Sequence, residues 1–437
     1  MAFPRRRAPN NAHHLAQNNC KIQYMTKKLF IGAIIFFFLA AGTAVYLLFF
    51  YHLGKNTSNQ TANTSSGYQP FPLGLNSQSS NTTPGTNTTN ASSSPITIQT
   101  LTQLYTLPIA GAGVFSAKKS VDFVRLTDRA TGHIYTISLA TTSTTVTNEL
   151  SDQTIPQIYR SLWINSSSTL LQYPNNTNTI IKTYSATLEK PPKTTATTSI
   201  SNFVSITGAF LPDNIEAVVT NPASTKIFYL IESSSGVLGK IANINNNGAT
   251  TIFSSAVSDW NVQWPNTNTI ALSTKASSNV NGYLYFLSTK GTMQRILGDI
   301  PGLVTNVNPN TTLVAYTDSN PTLSIFNIKS GNTVSTGLNT IANKCTWSPI
   351  QTTTLYCAVP QNIPEGNYPD AWYQGLVSFS DDIYQIDANT GQAIEIGNIS
   401  QQAGQPIDAE NLKVSPDGNF LIFTNKIDLS LWALQIQ

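Results

Sequence analysis

The residues of this chain that could perform acid–base chemistry are a few carboxylates in its last third. Asp370, Asp381 and Asp382 could supply the two carboxylates that glycoside hydrolysis needs, provided that two of them lie about 5–10 Å apart. Asp381 and Asp382 also fit the start of a strand, where one of two successive side chains faces solvent, and we favour this second interpretation.

Other catalytic patterns are missing from the sequence. It contains no pair of histidines at metal-ligand spacing, no Cys-x-x-Cys pair, no phosphate-binding loop and no Gly-x-Ser-x-Gly motif. We therefore predict no catalytic residue, no metal and no cofactor. A glycosidase-like enzyme that acts on envelope polysaccharide is the alternative.

Cys345 and Cys357 are spaced for a covalent bond. They lie equally far from Gln351 at the centre of a turn, so in a hairpin of that symmetry they face each other on adjacent strands. Opposite Cβ atoms in a sheet are about 4.5–5.5 Å apart, which a small local adjustment brings within range of a disulfide. We predict this disulfide; two small buried thiols are the alternative.

A repeated turn and strand would position these residues. Six times a short turn that usually ends in Pro precedes a compact apolar strand. Between successive prolines from Pro222 to Pro416 the steps are 43, 44, 40 and 67 residues, and all but the last match one four-stranded propeller blade. The sequence therefore predicts an all-β fold, a seven-bladed β-propeller of four-stranded blades over residues 97–437.

The predicted seventh blade lacks one strand. The chain ends on the third strand of this blade, Leu429–Leu434, which would leave an unpaired edge that proteins avoid. The segment Leu101–Leu107 precedes the first inner strand and belongs to no other blade. We predict that this N-terminal strand pairs with Leu429–Leu434 and closes the ring.

One repeat has a specific resemblance. The segment Val414–Phe423 reads Val-Ser-Pro-Asp-Gly-Asn-Phe-Leu-Ile-Phe and resembles the repeat of TolB-type and WD-repeat-like bacterial β-propellers. The other repeats are similar in turn position but more divergent in residue type. The resemblance covers about residues 101–437, and it implies a propeller that binds a partner in the cell envelope.

The longest step points to an insertion in the sixth blade. It exceeds its neighbours by about 24 residues, which fall between Pro360 and Phe379, in the connection from the second to the third strand. In a propeller this connection emerges on the face where ligands usually dock. The candidate binding residues are the aromatic and charged ones in this insertion: Glu365, Tyr368, Asp370, Trp372 and Tyr373. Alternatively, the rings fold back to plug the channel mouth or pack on the neighbouring blade.

Residues 1–96 differ in composition from the rest. Leu29–Tyr51 is uncharged and, as a helix, would reach about 34 Å, enough to cross a hydrocarbon core of about 30 Å. Basic residues precede it, so residues 1–28 would lie in the cytoplasm and the propeller outside. Residues 52–96, rich in Ser, Thr and Asn, are predicted to be a disordered linker. A cleaved signal peptide is the alternative to this transmembrane helix.

The distribution of charge along the chain limits the classes of partner that the propeller could bind. The net charge of +3 comes from residues 1–96, because residues 97–437 carry 17 Lys and Arg against 21 Asp and Glu. We therefore expect no nucleic acid binding. The sequence predicts a single-pass membrane protein that displays a protein-binding or envelope-assembly module outside the cell. Its expected partner is an envelope protein or a surface glycan; a purely structural surface protein is a further alternative.

Overall fold

The computed structural model describes residues 100–116, 121–139, 147–189 and 203–437. These residues form seven four-stranded antiparallel sheets, the blades of a β-propeller, which confirms the predicted fold. The predicted cytoplasmic tail, the membrane helix Leu29–Tyr51 and the linker 52–96 lie outside the described residues. Within the described ranges, no helix is long and apolar enough to cross a bilayer.

Blades 1 to 6 follow the chain from their inner to their outer strand, and blade 7 takes its outer strand from β1. Blades 1 to 4 are β2 Ile109–Phe115, β3 Phe123–Asp128, β4 Ile134–Ser138 and β5 Thr147–Ser151; β6 Arg160–Asn165, β7 Ser168–Pro174, β8 Ile181–Glu189 and β9 Ser205–Phe210; β10 Ile215–Thr220, β11 Lys226–Ser233, β12 Gly236–Asn243 and β13 Thr250–Ser255; β14 Trp260–Gln263, β15 Thr269–Thr274, β16 Asn281–Ser288 and β17 Met293–Pro301. Blades 5 to 7 are β18 Val304–Val307, β19 Leu313–Thr317, β20 Thr322–Asn327 and β21 Thr333–Asn339; β22 Cys345–Trp347, β23 Thr354–Pro360, β24 Asp381–Asp387 and β25 Ala393–Gly397; β26 Ala409–Val414, β27 Phe420–Asn425, β28 Leu431–Gln435 and β1 Leu101–Tyr105. The short helices are a 3-10 turn at Ala342–Lys344, α1 Asp370–Tyr373 and α2 Ile399–Ala403.

The Asn or Ser that precedes a Pro closes the repeated turn. The Asn308 side-chain oxygen accepts the backbone N–H of Leu313 at 3.0 Å, and Ser415 Oγ accepts that of Phe420 at 2.9 Å. Asn221 makes the equivalent contact in blade 3. Short polar side chains favour turns because they satisfy the backbone locally, which explains why this residue type recurs before the apolar second strands of blades 3, 5 and 7.

The ring closes as predicted. β1 pairs antiparallel with β28, with Leu101 opposite Leu434 and Tyr105 opposite Leu431. Leu104 packs in a buried cluster with residues of blades 7 and 1, so the closing strand also supplies apolar surface to the seam. The strand ends at Tyr105, slightly earlier than the segment predicted from the sequence.

Blade 6 carries both the disulfide and the insertion. Cys345 and Cys357 lie opposite each other on β22 and β23 and are joined by a disulfide, which confirms the prediction. The insertion leaves β23 after Pro360 and returns at Asp381, so it connects the second and third strands as expected. We call residues 361–380 the blade 6 loop.

Candidate functional site

The blade 6 loop has its own aromatic core. The Trp372 and Phe379 rings are stacked with centroids 6.4 Å apart, and the Tyr368 ring lies 6.1 Å from that of Phe379. The Tyr368 hydroxyl donates to the Pro364 carbonyl oxygen at 2.7 Å. Tyr368 and Trp372 are each only 4% exposed. Packed rings and a closed hydrogen bond give the loop a defined conformation.

A fully buried ion triad lies beneath this loop. Lys344 Nζ contacts Asp381 at 2.8 Å and also pairs with Asp408, and all three side chains are 0% exposed. The Trp372 indole N–H donates to both Asp408 carboxylate oxygens, at 3.1 and 2.9 Å. We call Lys344, Asp381 and Asp408 the buried charge cluster. It joins the starts of β22, β24 and β26, and Trp372 ties the loop to it.

Asp381 is the less satisfied carboxylate of this cluster. One of its oxygens accepts the Ala409 N–H at 2.7 Å, while the other has no hydrogen-bond partner among the described residues. Burial raises the pKa of Asp381 to about 6, although the neighbouring Lys344 acts in the opposite direction. This carboxyl therefore gains a proton on mild acidification.

The loop is also attached to blades 4 and 7. Lys426 Nζ donates to the Trp372 carbonyl oxygen at 2.9 Å and lies 4.9 Å from the centre of its ring. Asp370 accepts the backbone N–H of Ser278, in the connection between β15 and β16. Burial raises the pKa of Asp370, but the hydrogen bonds from Ser278 outweigh it and hold this pKa below its usual value. Contacts to three blades fix the loop across this end of the ring.

The outer edge of the loop remains accessible. Tyr373 is 38% exposed, and its hydroxyl accepts a hydrogen bond from Asn343 Nδ2 at 2.7 Å. Leu376 is 74% exposed, and Glu365 and Gln374 also face solvent. We call Glu365, Tyr373, Gln374 and Leu376 the loop rim.

Two neighbouring depressions lie along the inner strands. One, of about 380 Å³, lies beside the loop and is lined by polar and aromatic residues: Gln263, Asn306, Asn343, Trp372, Tyr373, Glu410, Asn411 and Lys426. The other, also about 380 Å³, lies between blades 7, 1 and 2, and Arg129, Arg160 and Lys413 are among its lining residues. Glu410 and Asn411 border both, so the two spaces adjoin.

The structure separates the sequence-predicted binding residues into two groups. Tyr368 and Trp372 fold back into the loop core, where each is only 4% exposed, and a role of these two rings in binding stays a prediction. Asp370 is engaged by Ser278. Glu365 and Tyr373 remain on the accessible edge.

The three carboxylates considered for glycoside hydrolysis are not combined in one site. Asp381 is enclosed with Lys344, and Asp382 accepts a hydrogen bond from Gln361 Nε2 at 3.0 Å. Asp370 is held on the blade 4 side by Ser278. Among the cavities found around the described residues, neither depression on the inner strands is lined by any of these three.

Sequence reasoning missed the residues that organise this end of the molecule. Lys344 and Asp408 stand directly before the inner strands β22 and β26. In a chain with only 10% charged residues, a charge next to an apolar inner strand was the available signal. The same signal marks the cavity between blades 7, 1 and 2, which is lined by three charged residues of inner strands: Arg160, Glu410 and Lys413.

Comparisons with known proteins assign no family to this chain. No family model and no curated protein matches the sequence. Among solved structures, two of puromycin hydrolase match at 13% identity, with TM-scores of 0.45 and 0.44, over 73% of this chain and 51% of that one. An oligogalacturonate lyase from Vibrio parahaemolyticus matches at 10% identity and a TM-score of 0.44, over 78% of this chain and 99% of that one. This chain thus spans about half the length of puromycin hydrolase.

Proposed function

We propose that this chain is a binding module that docks an envelope protein through the loop rim and is displayed outside the cell by the segment Leu29–Tyr51. The observation that carries the proposal is an accessible rim on a firmly anchored loop. Trp372 fixes the loop to the buried charge cluster, while Leu376, on the same loop, is 74% exposed.

A fixed loop favours docking for an energetic reason. Binding costs free energy when flexible segments must be ordered, and a segment already held by packing and hydrogen bonds avoids most of this cost. The rim offers the ring of Tyr373, a residue type enriched at protein–protein interfaces, beside the exposed aliphatic side chain of Leu376. A protein partner therefore suits this surface.

Display outside the cell is supported by the sequence and by the disulfide. The basic residues before Leu29–Tyr51 predict a cytoplasmic N-terminus. Disulfides such as Cys345–Cys357 persist mainly in oxidising compartments. On intact cells, a membrane-impermeant amine reagent should label exposed lysines such as Lys275. Labelling only after lysis would contradict this orientation.

Docking can be tested with a photo-crosslinking residue placed in the full chain, in cells that make it. Leu376 is the test position, and Ile394 on β25 of the same blade is the matched control, since it is 68% exposed. We expect a discrete adduct from Leu376 that protease removes, that is absent from Ile394, and that Tyr373→Ala weakens. Equal patterns at both positions would exclude the loop rim as the interface.

The same experiment separates the protein partner from the alternative surface glycan. An adduct that survives protease but is removed by glycan-degrading treatment would identify the glycan. The glycosidase-like alternative lacks support in the site, because Asp370, Asp381 and Asp382 are each engaged elsewhere.

A further inference from the structure

We propose that the cavity between blades 7, 1 and 2 binds a small anionic ligand between Arg160 and Lys413. The ligand would be of about monosaccharide size and carry a phosphate or carboxylate group. This site is distinct from the docking surface on the loop rim. The cavity of about 380 Å³ between blades 7, 1 and 2 is within the usual range of about 300–1,000 Å³ for small-molecule sites.

Arg160 and Lys413, two of the three cations that line this cavity, lack acidic partners among the described residues. Lys413 Nζ donates to the Ala112 carbonyl oxygen at 2.6 Å, a neutral acceptor. In the part of the chain that the structure describes, no carboxylate forms an ion pair with Lys413 or Arg160, and the Arg160 side chain has no hydrogen-bond acceptor. Arg160 is exposed and Lys413 is half-buried at the wall of the cavity, so both can offer positive charge to an anion that enters it.

The close packing of the inner strands brings Arg160 and Lys413 near each other. A Cβ on Gly111 of β2 would lie 2.1 Å from the Ser161 carbonyl oxygen on β6, so only glycine permits this close approach of the two inner strands. Arg160 precedes Ser161, and Lys413 reaches β2 from β26 on the other side. Burial, together with the Arg160 charge, lowers the pKa of Lys413 to about 8. A bound anion would remove this unfavourable interaction.

The remaining lining suits a polar ligand. Glu410 and Asn411 offer a carboxylate and an amide to hydroxyl groups. Burial raises the pKa of Glu410, and the charges of Lys426 and Lys344 act against this rise. Because residues 97–437 carry more acidic than basic residues, the cations of the cavity are a local feature rather than part of a general positive field.

Calorimetric titration of the full chain at low ionic strength tests the proposal. The probes are inorganic phosphate, glucuronate and uncharged glucose. We expect heat of binding from phosphate, from glucuronate or from both, and at least tenfold weaker binding of glucose. Binding of phosphate alone would assign a phosphate ester, and binding of glucuronate alone a sugar acid. Binding of neither anion would overturn the proposal.

Variants locate the site. Arg160→Gln should weaken anion binding about tenfold or more, since a charge-assisted hydrogen bond is lost, whereas Arg160→Lys should retain most of it. Glu410→Gln should strengthen binding because a nearby negative charge is removed. Arg295→Gln, which alters a surface cation paired with Asp299, is the control and should change nothing.

Folding of each variant is checked by its thermal transition. Lys413→Gln should also weaken binding, but it removes the hydrogen bond to Ala112, so the Arg160 variants decide the question. Anion binding that is equal in Arg160→Gln and Arg295→Gln would place the ligand elsewhere and refute the assignment.

Discussion

Lys344 and Lys413 both lie at inner strands of this propeller, but they differ in their charged neighbours and in their burial. Lys344 lies between Asp381 and Asp408, with every member of the group fully buried. Lys413 faces a carbonyl oxygen and the positive charge of Arg160, in a cavity that remains open. In the first arrangement the lysine is paired with two carboxylates, and the cluster holds blades 6 and 7 and the loop together. The second is incomplete, and we infer that a ligand completes it.

The largest change in the free energy of unfolding is expected when Lys344 is replaced. Lys344→Met leaves Asp381 and Asp408 buried without their cation, and we expect a loss of about 3–5 kcal/mol in the free energy of unfolding. Urea denaturation measures it. The control Lys182→Met breaks the more exposed pair with Asp213 and should cost at most about 1 kcal/mol. Similar losses for both variants would show that the buried charge cluster is not a major contributor.

Trp372→Phe tests the attachment of the loop to the same cluster. It keeps a ring but removes the two hydrogen bonds to Asp408, so we expect a loss of about 1.5–3 kcal/mol and faster proteolysis within the blade 6 loop. Trp260→Phe is the matched control, because its indole N–H donates to the neutral Val257 carbonyl oxygen. It should cost about 0.5–1.5 kcal/mol. An equal effect in both variants would contradict an ionic anchor.

The pH dependence of the free energy of unfolding tests whether the pKa of Asp381 is raised in the folded protein. Its pKa is about 6 in the folded protein and about 3.9 in an unfolded chain, so the folded state holds the extra proton between these values. Stability from this group is therefore greatest below about pH 4 and falls as pH rises to about 6. Relative to Asp381→Asn, the wild-type protein should lose about 1–3 kcal/mol over this window. A difference that stays constant with pH would be inconsistent with a raised pKa.

The smallest effect on stability is expected from a substitution in the cavity between blades 7, 1 and 2. Arg160→Met removes a cation without an acidic partner and relieves its repulsion with Lys413, so the free energy of unfolding should change by no more than about 0.5 kcal/mol. Thermal unfolding without added ligand measures it. A loss above about 2 kcal/mol would show that Arg160 has a structural role after all, and the contrast with Lys344 would fail.

Local sequence patterns were enough to predict the architecture. A turn that ends in Pro and a following apolar strand lie within about ten residues of each other, so a blade can be recognised from a short stretch of sequence. The Cys345–Cys357 pair could be predicted for the same reason, since hairpin symmetry fixes which residues are opposite. The closing strand followed from counting strands in the last blade.

The site could not be predicted in this way. Lys344, Asp381 and Asp408 come from the starts of three different strands in two blades, and nothing in a single sequence shows that these starts converge. The aromatic residues of the insertion were visible, but their number alone did not tell which rings would face inward. Burial of Tyr368 and Trp372 was decided by the apolar and ionic environment beneath the loop, which only the folded ring creates.

The pairing of β1 with β28 makes the ring dependent on a strand of five residues. Thr100 also accepts a hydrogen bond from Gln435, so residues from opposite ends of the propeller share one blade. If Leu101–Tyr105 were withdrawn, the outer edge of β28 would offer unpaired N–H and C=O groups to any extended chain. A peptide with this sequence could then take the vacant place, or two molecules could exchange their first strands and form a swapped dimer.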